Sequence, residues 1–410
     1  MTSCSDDDDD NGNKEIEYKD MWGPVLRGDN MTLQFYPDHF AYYWEYTFDA
    51  EANPETGLVI EGSFPVARFM SYNVYDDDEQ TSYVDKEGYN FSLMDTEIKA
   101  DPGYTNPFVD ATGISKMDIS SGSKTQKYTI YVLPTNAPAS VAKGKDNVIW
   151  FDAKAKKVCT ILRYYIPQGD IKGSVAMPII KGLDLRTEQF IATPERVLSG
   201  LRGDMELPGA AFTASDNMLF FRAPFSYAYP NGPAEYCYSR NLLEKNEVMM
   251  FNFKAPSYPK SPAEYGKTDM RYWSVCVGNK DTYTPLAISD YQTKIDANGF
   301  ANYILVDKGS DKYAQIKQIA EANDYNILEW NGDEWDKGVM ILYRNMVFDD
   351  NYAHSLRKLD PVGPGVNVME APQKYICVLA LGQWGATGRK MPADTFIAAD
   401  GKINLRQQAQ

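Results

Sequence analysis

Two stretches that lie far apart in this 410-residue chain repeat one pattern of side chains. Residues 68–74 read RFMSYNV and residues 271–277 read RYWSVCV, so both have Arg, an aromatic, a large apolar residue, Ser, two variable positions and Val. Further along, VIWFD and TILRYYIP follow the first stretch, and ILEWN and VMILYRNMVF follow the second. Matching elements in the same order indicate the duplication of one module, so both halves must take the same fold.

The repeated module has the pattern of a β-structure. In residues 42–48, YYWEYTF, aromatic side chains alternate along the segment, which is typical of a half-buried strand. Short runs of the same kind are separated by Gly, Pro and Asp, and a content of 29 Tyr and 18 Phe also favours strands. We therefore predict an all-β fold of two tandem antiparallel jelly-roll-like β-sandwiches with a few short helices.

Two segments have the pattern of short helices. In residues 193–203, TPERVLSGLRG, Thr193 is placed to cap a helix and Pro194 to occupy its first position. In residues 312–323, KYAQIKQIAEAN, apolar side chains recur on one helical face.

The length of the chain favours two domains, and the repeats suggest where they lie. We predict a flexible acidic tether over residues 1–20, a first β-sandwich over 21–190, a connecting segment with a short helix over 191–255, and a second β-sandwich with a C-terminal extension over 256–410.

The first residues resemble the mature start of a Bacteroidota surface lipoprotein, because Cys4 is followed by a serine and the five aspartates of residues 6–10. The resemblance implies a lipid on Cys4 that holds the protein on the outer membrane at the cell surface. We expect the signal peptide of such a protein to be absent from this sequence, with Met1 in its place. The alternative is an acidic tail with an incidental thiol.

Longer stretches resemble a group of secreted bacterial proteins of unassigned activity. They are GSFPVARFMSYNVYD, DTEIKADPGYTNPF, KYTIYVLP and LRYYIPQGDIKGSVAMP in the first half, and RYWSVCV, NILEWNG, ILYRNMV and the connecting YPNGPAEYCY later on. The module is similar to the jelly-roll-like domain of unknown function 1214, which is often paired with domain of unknown function 1254. The resemblance covers most of residues 35–357 and implies the fold, but it brings no catalytic residues.

The composition excludes several kinds of chemistry. A formal net charge of −16 without a basic cluster makes nucleic acid a poor partner. His39 and His354 are the two histidines of the chain, and no CxxC, HxH or Gly-rich phosphate loop occurs, so we expect no cofactor. A candidate calcium site is the acidic run Asp76, Asp77, Asp78 and Glu79, for which the alternative is a solvated loop.

Arginines on predicted strands are candidate binding residues. Strand alternation places Arg68 with Met70 and Tyr72, Arg163 with Ile161 and Tyr165, and Arg344 with Leu342 and Met346. A guanidinium in apolar surroundings needs a partner, because an unpaired buried charge is costly. Two interpretations stay open, a salt bridge inside each sandwich and an anion- or sugar-binding role for Arg68 and Arg344.

We expect any small-molecule site where the two sandwiches and the connecting segment meet. The predicted lining is Tyr227, Tyr229, Tyr236 and Trp273, although Trp273 shares its predicted face with valines and also fits a core position. The function predicted from these features is that of a ligand-binding or accessory surface lipoprotein for a glycan or another small molecule. The alternatives are a carboxylate-dependent hydrolase such as a glycosidase, and a structural or adhesion protein; the oligomeric state is left open.

Overall fold

The computed structural model describes residues 16, 18, 20–31, 33–82, 89–109, 126–200, 212–224, 229–348, 351–363 and 365–406. These residues form four β-sheets, which pack as two sandwiches, and a few short helices. The predicted all-β fold of two tandem sandwiches is confirmed. All strand pairs are antiparallel except one parallel pair in each sandwich.

The first sandwich contains eleven of the strands. They are β1 (Leu26–Arg27), β2 (Ala41–Asp49), β3 (Thr56–Ser63), β4 (Ala67–Asp76), β5 (Thr81–Ser82), β6 (Ser92–Met94), β7 (Lys127–Pro134), β8 (Val148–Phe151), β9 (Lys157–Pro167), β10 (Ile179–Asp184) and β11 (Phe190–Ile191). One sheet has the order β1-β2-β9-β4-β5, with β6 also on β4, and the other has the order β11-β10-β3-β7-β8. We call these the inner and the outer sheet of the first sandwich.

The second sandwich contains the remaining ten strands. They are β12 (Asn217–Met218), β13 (Phe221–Arg222), β14 (Ala234–Leu242), β15 (Glu247–Lys254), β16 (Met270–Gly278), β17 (Leu286–Ser289), β18 (Phe300–Asp307), β19 (Asn326–Trp330), β20 (Gly338–Phe348) and β21 (Thr387–Pro392). Its inner sheet has the order β13-β14-β20-β16-β17, and its outer sheet has the order β12-β21-β15-β18-β19.

The two sandwiches have the same topology. Strands β2, β9 and β4 of the first inner sheet correspond to β14, β20 and β16 of the second, and the parallel pair β7–β8 corresponds to β18–β19. The register agrees as well, since an arginine on the central strand lies between a tyrosine and a serine in both. These equivalent triplets are Tyr43, Arg163 and Ser71, and Tyr236, Arg344 and Ser274. The sequence repeat is therefore a repeat of structure.

The helices are short and lie beside the sheets, and some of their apolar side chains complete the sandwich cores. The α-helices are Ala139–Ala142, Tyr313–Ala322, Gly332–Trp335, Pro372–Tyr375, Cys377–Leu381 and Ala393–Ala398, and the 3-10 helices are Pro262–Glu264, Leu356–Lys358, Val368–Glu370 and Gly382–Trp384. The helix predicted over residues 312–323 is confirmed, with Ile316 and Ala320 buried against the outer sheet. No helix of the described residues is long and apolar enough to cross a membrane.

The helix predicted at residues 193–203 is wrong over the part that the structure describes, residues 193–200. Arg196 pairs with Phe48 in an antiparallel β-bridge, and Val197 donates its backbone N–H to Thr47 at 2.9 Å. Arg196 also forms an ion pair with the nearly buried Glu45 at 2.7 Å. Pairing with β2 thus outweighs the local capping signal of the sequence.

The boundary between the domains also differs from the prediction. Strands β12 to β15 belong to the sheets of the second sandwich, so this domain begins with them and not at residue 256. Strand β21 lies in the predicted C-terminal extension, yet it pairs with β15 inside the second outer sheet. The predicted connecting segment and the predicted extension therefore both contribute strands to the second sandwich.

Each inner sheet is buried on both faces. One face packs against the outer sheet of its own sandwich, where Trp44, Tyr72 and Trp273 lie in the cores. The other face packs against the inner sheet of the opposite sandwich, and the shared apolar cluster includes Tyr165 and Tyr272. The sequence predicts that one face of β2 is exposed, and Tyr43 lies on that face. Tyr43 is nevertheless buried, because the opposite sandwich covers it.

Candidate functional site

Two arms of the chain cross between the sandwiches. Residues 33–40 precede β2 and contact the second sandwich, where Arg344 donates to the Tyr36 carbonyl at 2.8 Å. The segment before β14 contacts the first sandwich in the equivalent way, with Arg163 donating to the Tyr229 carbonyl at 3.0 Å. Both tyrosines have positive φ angles, 52° and 51°. The interface is therefore built from a reciprocal exchange of equivalent segments.

Two ion pairs join the sandwiches in the same reciprocal manner. Arg68 of β4 bonds Asp290, which follows β17, at 2.6 Å, and Arg271 of β16 bonds Asp95, which follows β6, at 2.5 Å. Each carboxylate also accepts a backbone N–H from the strand of its own domain. Burial raises the pKa of both aspartates, and the arginines oppose this shift. The interpretation of Arg68 as a salt bridge inside one sandwich is corrected: the bridge connects the two domains.

The central arginines have different partners in the two sandwiches. In the Arg344 cluster, which consists of Arg344, Asp38, Ser274, Tyr272 and Cys276, the Asp38 carboxylate lies 2.7 Å from the guanidinium. It also accepts the Ser274 hydroxyl at 2.7 Å and the Tyr272 hydroxyl at 2.9 Å. The partner of Arg344 is thus again a carboxylate from the opposite half of the chain.

The Arg163 cluster consists of Arg163, Asn73, Ser71 and Asn231, and its hydrogen-bond acceptors are neutral. Arg163 donates to the Asn73 side chain at 2.5 Å, and the single hydroxyl proton of Ser71 is shared between the side-chain oxygens of Asn73 and Asn231, both at 3.2 Å. None of the ion pairs formed by the described residues involves Arg163. The rings of Tyr43 and Tyr75 lie 5.7 Å from its guanidinium, so the charge is surrounded by aromatic groups.

An open cleft of about 430 Å³ lies where one end of the two inner sheets meets the solvent. The first sandwich contributes Arg27, Asp29, His39 and Tyr42, and the second contributes Tyr291 and Gln292. The cleft therefore lies between the domains and is lined by His39 and Phe40 of the arm 33–40. The sequence places the site at the segment 191–255 as well, but none of the described residues of that segment lines the cleft.

Contacts within the cleft hold its polar and aromatic groups in place. Arg27 forms an ion pair with Asp29, and its guanidinium lies 5.0 Å from the centre of the Tyr42 ring. The His39 Nε2–H donates to the Thr284 carbonyl of the second sandwich. Tyr291 meets Phe40 edge to face at 5.9 Å, yet 49% of its surface is exposed. Its ring is therefore available for contact with a ligand.

The cleft is better equipped for binding than for acid–base chemistry. A glycosidase needs two carboxyl groups about 5 to 10 Å apart. Among the described lining residues, Asp29 is the one carboxylate, and it is paired with Arg27. Rings from both domains beside hydrogen-bonding groups suit the recognition of a polar ring such as a sugar.

The residues predicted to bind a ligand do not line this cleft. Trp273 is fully buried in the core of the second sandwich, and Tyr229 is buried in the shared cluster, where burial and the nearby Asp77 raise its pKa. Tyr236 packs over the Arg344 guanidinium at 5.2 Å. Arg68 and Arg344 are engaged in the interdomain contacts described above, and Tyr227 lies outside the described residues.

The acidic run after β4 does not form one cluster of ligands. Asp77 is 3% exposed and accepts the Tyr229 hydroxyl at 2.8 Å and the Gly200 N–H at 2.8 Å. Asp76 accepts backbone N–H groups of its own turn, and Asp78 pairs with Lys157. No group of three or more metal-ligating side chains is found in the described part of the chain. Cys4 lies outside the described residues.

A signal in the sequence could have located the two arms. Tyr36-Pro37-Asp38 precedes β2, and Tyr229-Pro230-Asn231 precedes β14, so the repeat extends upstream of the strands. Extending the alignment of the two halves to this point identifies Asp38 and Asn231 as equivalent residues. The turn that holds the cleft residues Tyr291 and Gln292 is repeated too, since DYQTKID of residues 290–296 matches DTEIKAD of residues 95–101 at both aspartates and the lysine. Thr96 and Glu97 stand in place of the two cleft residues, so the repeat does not mark them as a binding pair.

Comparison with known protein families gives no match, and comparison with curated proteins gives none either. Solved structures that resemble the chain include an uncharacterized protein from Burkholderia cenocepacia, at 10% identity and a TM-score of 0.47, over 92% of this chain and 83% of that one. Another is the VPA0106 protein from Vibrio parahaemolyticus, at 12% identity and a TM-score of 0.40, over 78% of this chain and 87% of that one. At these values the likeness carries no statement about function.

Proposed function

We propose that this protein binds a small polar ligand of the glycan class in the interdomain cleft. The observation that carries the proposal is the exposed ring of Tyr291, which lies in a cleft lined by Tyr42, Arg27 and Gln292. Aromatic rings stack on the apolar faces of sugar rings, while charged and amide groups bond the hydroxyls. The volume of about 430 Å³ is in the usual range for small-ligand sites.

The proposal also includes a location at the cell surface. A lipid on Cys4 would attach the protein to the outer membrane through its acidic N-terminal segment, as in the surface lipoproteins that this segment resembles. The Cys237–Cys377 disulfide of the second sandwich supports an oxidising compartment outside the cytoplasm. Membership of the secreted proteins similar to domain of unknown function 1214 is part of the same proposal.

The anchor is tested separately from ligand binding. The full-length protein is expressed with a lipoprotein signal peptide in a Bacteroidota host, and membrane fractions are compared for wild type and Cys4→Ala. The proposal expects the wild type in the membrane fraction with a lipid on the N-terminal cysteine by mass spectrometry, and the variant in the soluble fraction. Equal recovery of both from the membrane would contradict it.

The ligand site is tested by a glycan array followed by titration calorimetry with the best-bound sugar. Tyr291→Ala and Arg27→Ala remove a ring and a charge from the cleft, and Phe190→Ala is the matched control, since Phe190 is a similarly exposed ring on β11, at 48%. Loss of a stacking ring is expected to weaken binding by about three- to tenfold. Full-strength binding by both folded cleft variants would place the ligand elsewhere, and an array without any bound glycan would contradict the glycan class.

A further inference from the structure

The two interdomain clusters are equivalent in backbone but differ in charge. Asp38 and Asn231 occupy matching places, because each accepts the hydroxyl of the equivalent serine, Ser274 or Ser71. Each also accepts, through its carbonyl, the N–H of the first residue of the following strand. The Arg344 cluster therefore contains a carboxylate where the Arg163 cluster contains a neutral amide.

The Arg163 cluster has an excess of donors. Arg163 is 4% exposed, and both Asn73 and Asn231 are buried, at 0% and 2% exposure. Among the described residues, no group bonds the side-chain nitrogens of these two asparagines. Phe69 stands where Tyr272 stands in the other cluster, so it supplies no hydroxyl there. A buried guanidinium and two unpaired amide donors lie together along one hydrogen-bonded chain through Ser71.

The buried carboxylate of Asp77 does not balance this charge directly. Its oxygens accept the Tyr229 and Ser199 hydroxyls and the Gly200 N–H, and it forms no ion pair with Arg163. Tyr229 separates the two groups, since its carbonyl accepts from Arg163 and its hydroxyl donates to Asp77. An isolated cation in such surroundings is strongly unfavourable, which favours a bound counter-ion.

We propose that the Arg163 cluster binds a small monovalent anion, of which chloride is the common example, in place of the carboxylate that Asp38 supplies to Arg344. Arg163 and the side-chain amides of Asn73 and Asn231 are the donors to this anion. The buried guanidinium has the rings of Tyr43 and Tyr75 at 5.7 Å, which favours a halide over a large organic anion. It is independent of the cleft and of any glycan bound there.

The variant Asn231→Asp tests the proposal, because it supplies the missing carboxylate within the chain. Melting temperatures are measured in sodium bromide and in sodium gluconate at equal ionic strength. For the wild type the expected temperature is higher in bromide by about 1 to 3 °C, since binding to the folded state alone stabilises it. Asn231→Asp is expected to lose this difference, and the exposed variant Asn298→Asp, which has the same net charge, is expected to keep it.

Crystals grown from protein purified in bromide give a readout that does not depend on stability. An anomalous peak within hydrogen-bond distance of Arg163 and the two asparagines is expected in the wild type and is absent in Asn231→Asp. A water molecule at this place in bromide-grown wild-type crystals, or bromide on the surface only, would overturn the proposal. The proposal would also be overturned if the melting temperature changed between bromide and gluconate by the same amount in the wild type, Asn231→Asp and Asn298→Asp.

Discussion

The two interdomain clusters show what duplication preserved and what it did not. Both keep an arginine on the central strand of an inner sheet, opposite a serine, and bonded to a tyrosine carbonyl of the exchanged arm. Only the Arg344 cluster has a carboxylate beside the guanidinium. The backbone of the interface is thus the same in both halves. The groups that accompany the buried guanidinium differ, because Arg344 has a carboxylate beside it and Arg163 has neutral acceptors.

The outer pair of arginines is different, because both are balanced by aspartates of the opposite sandwich. Arg68 and Arg271 lie at equivalent positions and bond Asp290 and Asp95, which are equivalent as well. Each half thus neutralises a charge of the other half. Separating the sandwiches would break both pairs and expose the shared apolar cluster that includes Tyr165 and Tyr272 to water, which is unfavourable.

Among the variants that test this comparison, Arg344→Met is expected to change the stability most. The substitution leaves Asp38 buried without its cation, which should lower the free energy of unfolding by about 3 to 5 kcal/mol. Urea unfolding followed by circular dichroism measures it. Arg186→Met, which breaks the exposed pair with Glu55, is the control and should cost less than about 1 kcal/mol. Similar losses for the two variants would contradict the role of the buried pair.

A second expected effect concerns the Cys237–Cys377 disulfide, which connects β14 to the helix Cys377–Leu381 in the second sandwich. Replacing both cysteines by alanine should lower stability by about 2 to 4 kcal/mol, because the unfolded chain regains freedom. The wild type should show the same loss in a reducing agent, whereas the double variant should not respond to it. The buried Cys159 of the first sandwich is free. The variant Cys159→Ala should therefore lose as much stability in the reducing agent as the wild type does.

Arg163→Met should have a smaller effect than Arg344→Met. It removes a buried cation that has no carboxylate to leave behind, and it costs the hydrogen bonds to Asn73 and the Tyr229 carbonyl, about 1 to 3 kcal/mol in total. The same urea experiment measures it. If Arg163→Met destabilises the protein as much as Arg344→Met does, the two clusters do not differ in charge balance as described.

The smallest effect is the pH dependence that His354 of the second sandwich contributes. Burial, together with Lys358 and Lys254, lowers the pKa of His354, which stacks on Trp384 at 4.8 Å, while Asp269 opposes the shift. Since the unfolded chain then binds the proton more readily, stability should fall as the pH drops through about 6.5 and level off below the folded pKa. His354→Gln should reduce this slope in unfolding experiments between pH 7.5 and 5. An unchanged slope would assign it to other groups.

Much of the fold could be predicted because strand patterns and the internal repeat are local properties of the sequence. The alternation in residues 42–48 predicts β2, and the paired motifs around Arg68 and Arg271 predict equivalent strands β4 and β16. The predicted helix is wrong over residues 193–200, because Arg196 and Val197 pair with β2, a contact between distant parts of the chain. Such contacts override a capping signal that reports only on neighbours.

The candidate site was harder to predict because its residues have no common pattern. Asp95 and Asp290 look like turn residues in the sequence, and their role appears only when the sandwiches pack together. The aromatic-rich segment around Tyr229 suggested a ligand surface, yet Tyr229 is buried in the contact between the domains. Aromatic density alone does not distinguish a binding surface from an interface that the protein forms with itself.

The central claim is that the two sandwiches form one cooperative unit through their exchanged arms and reciprocal ion pairs. Scanning calorimetry of the full chain and of Arg271→Met tests it most directly, because Arg271 belongs to one sandwich and its partner Asp95 to the other. The account predicts one transition in both proteins, with equal calorimetric and van't Hoff enthalpies, at a lower temperature in the variant. Two separate transitions, of which the variant shifts only one, would contradict it.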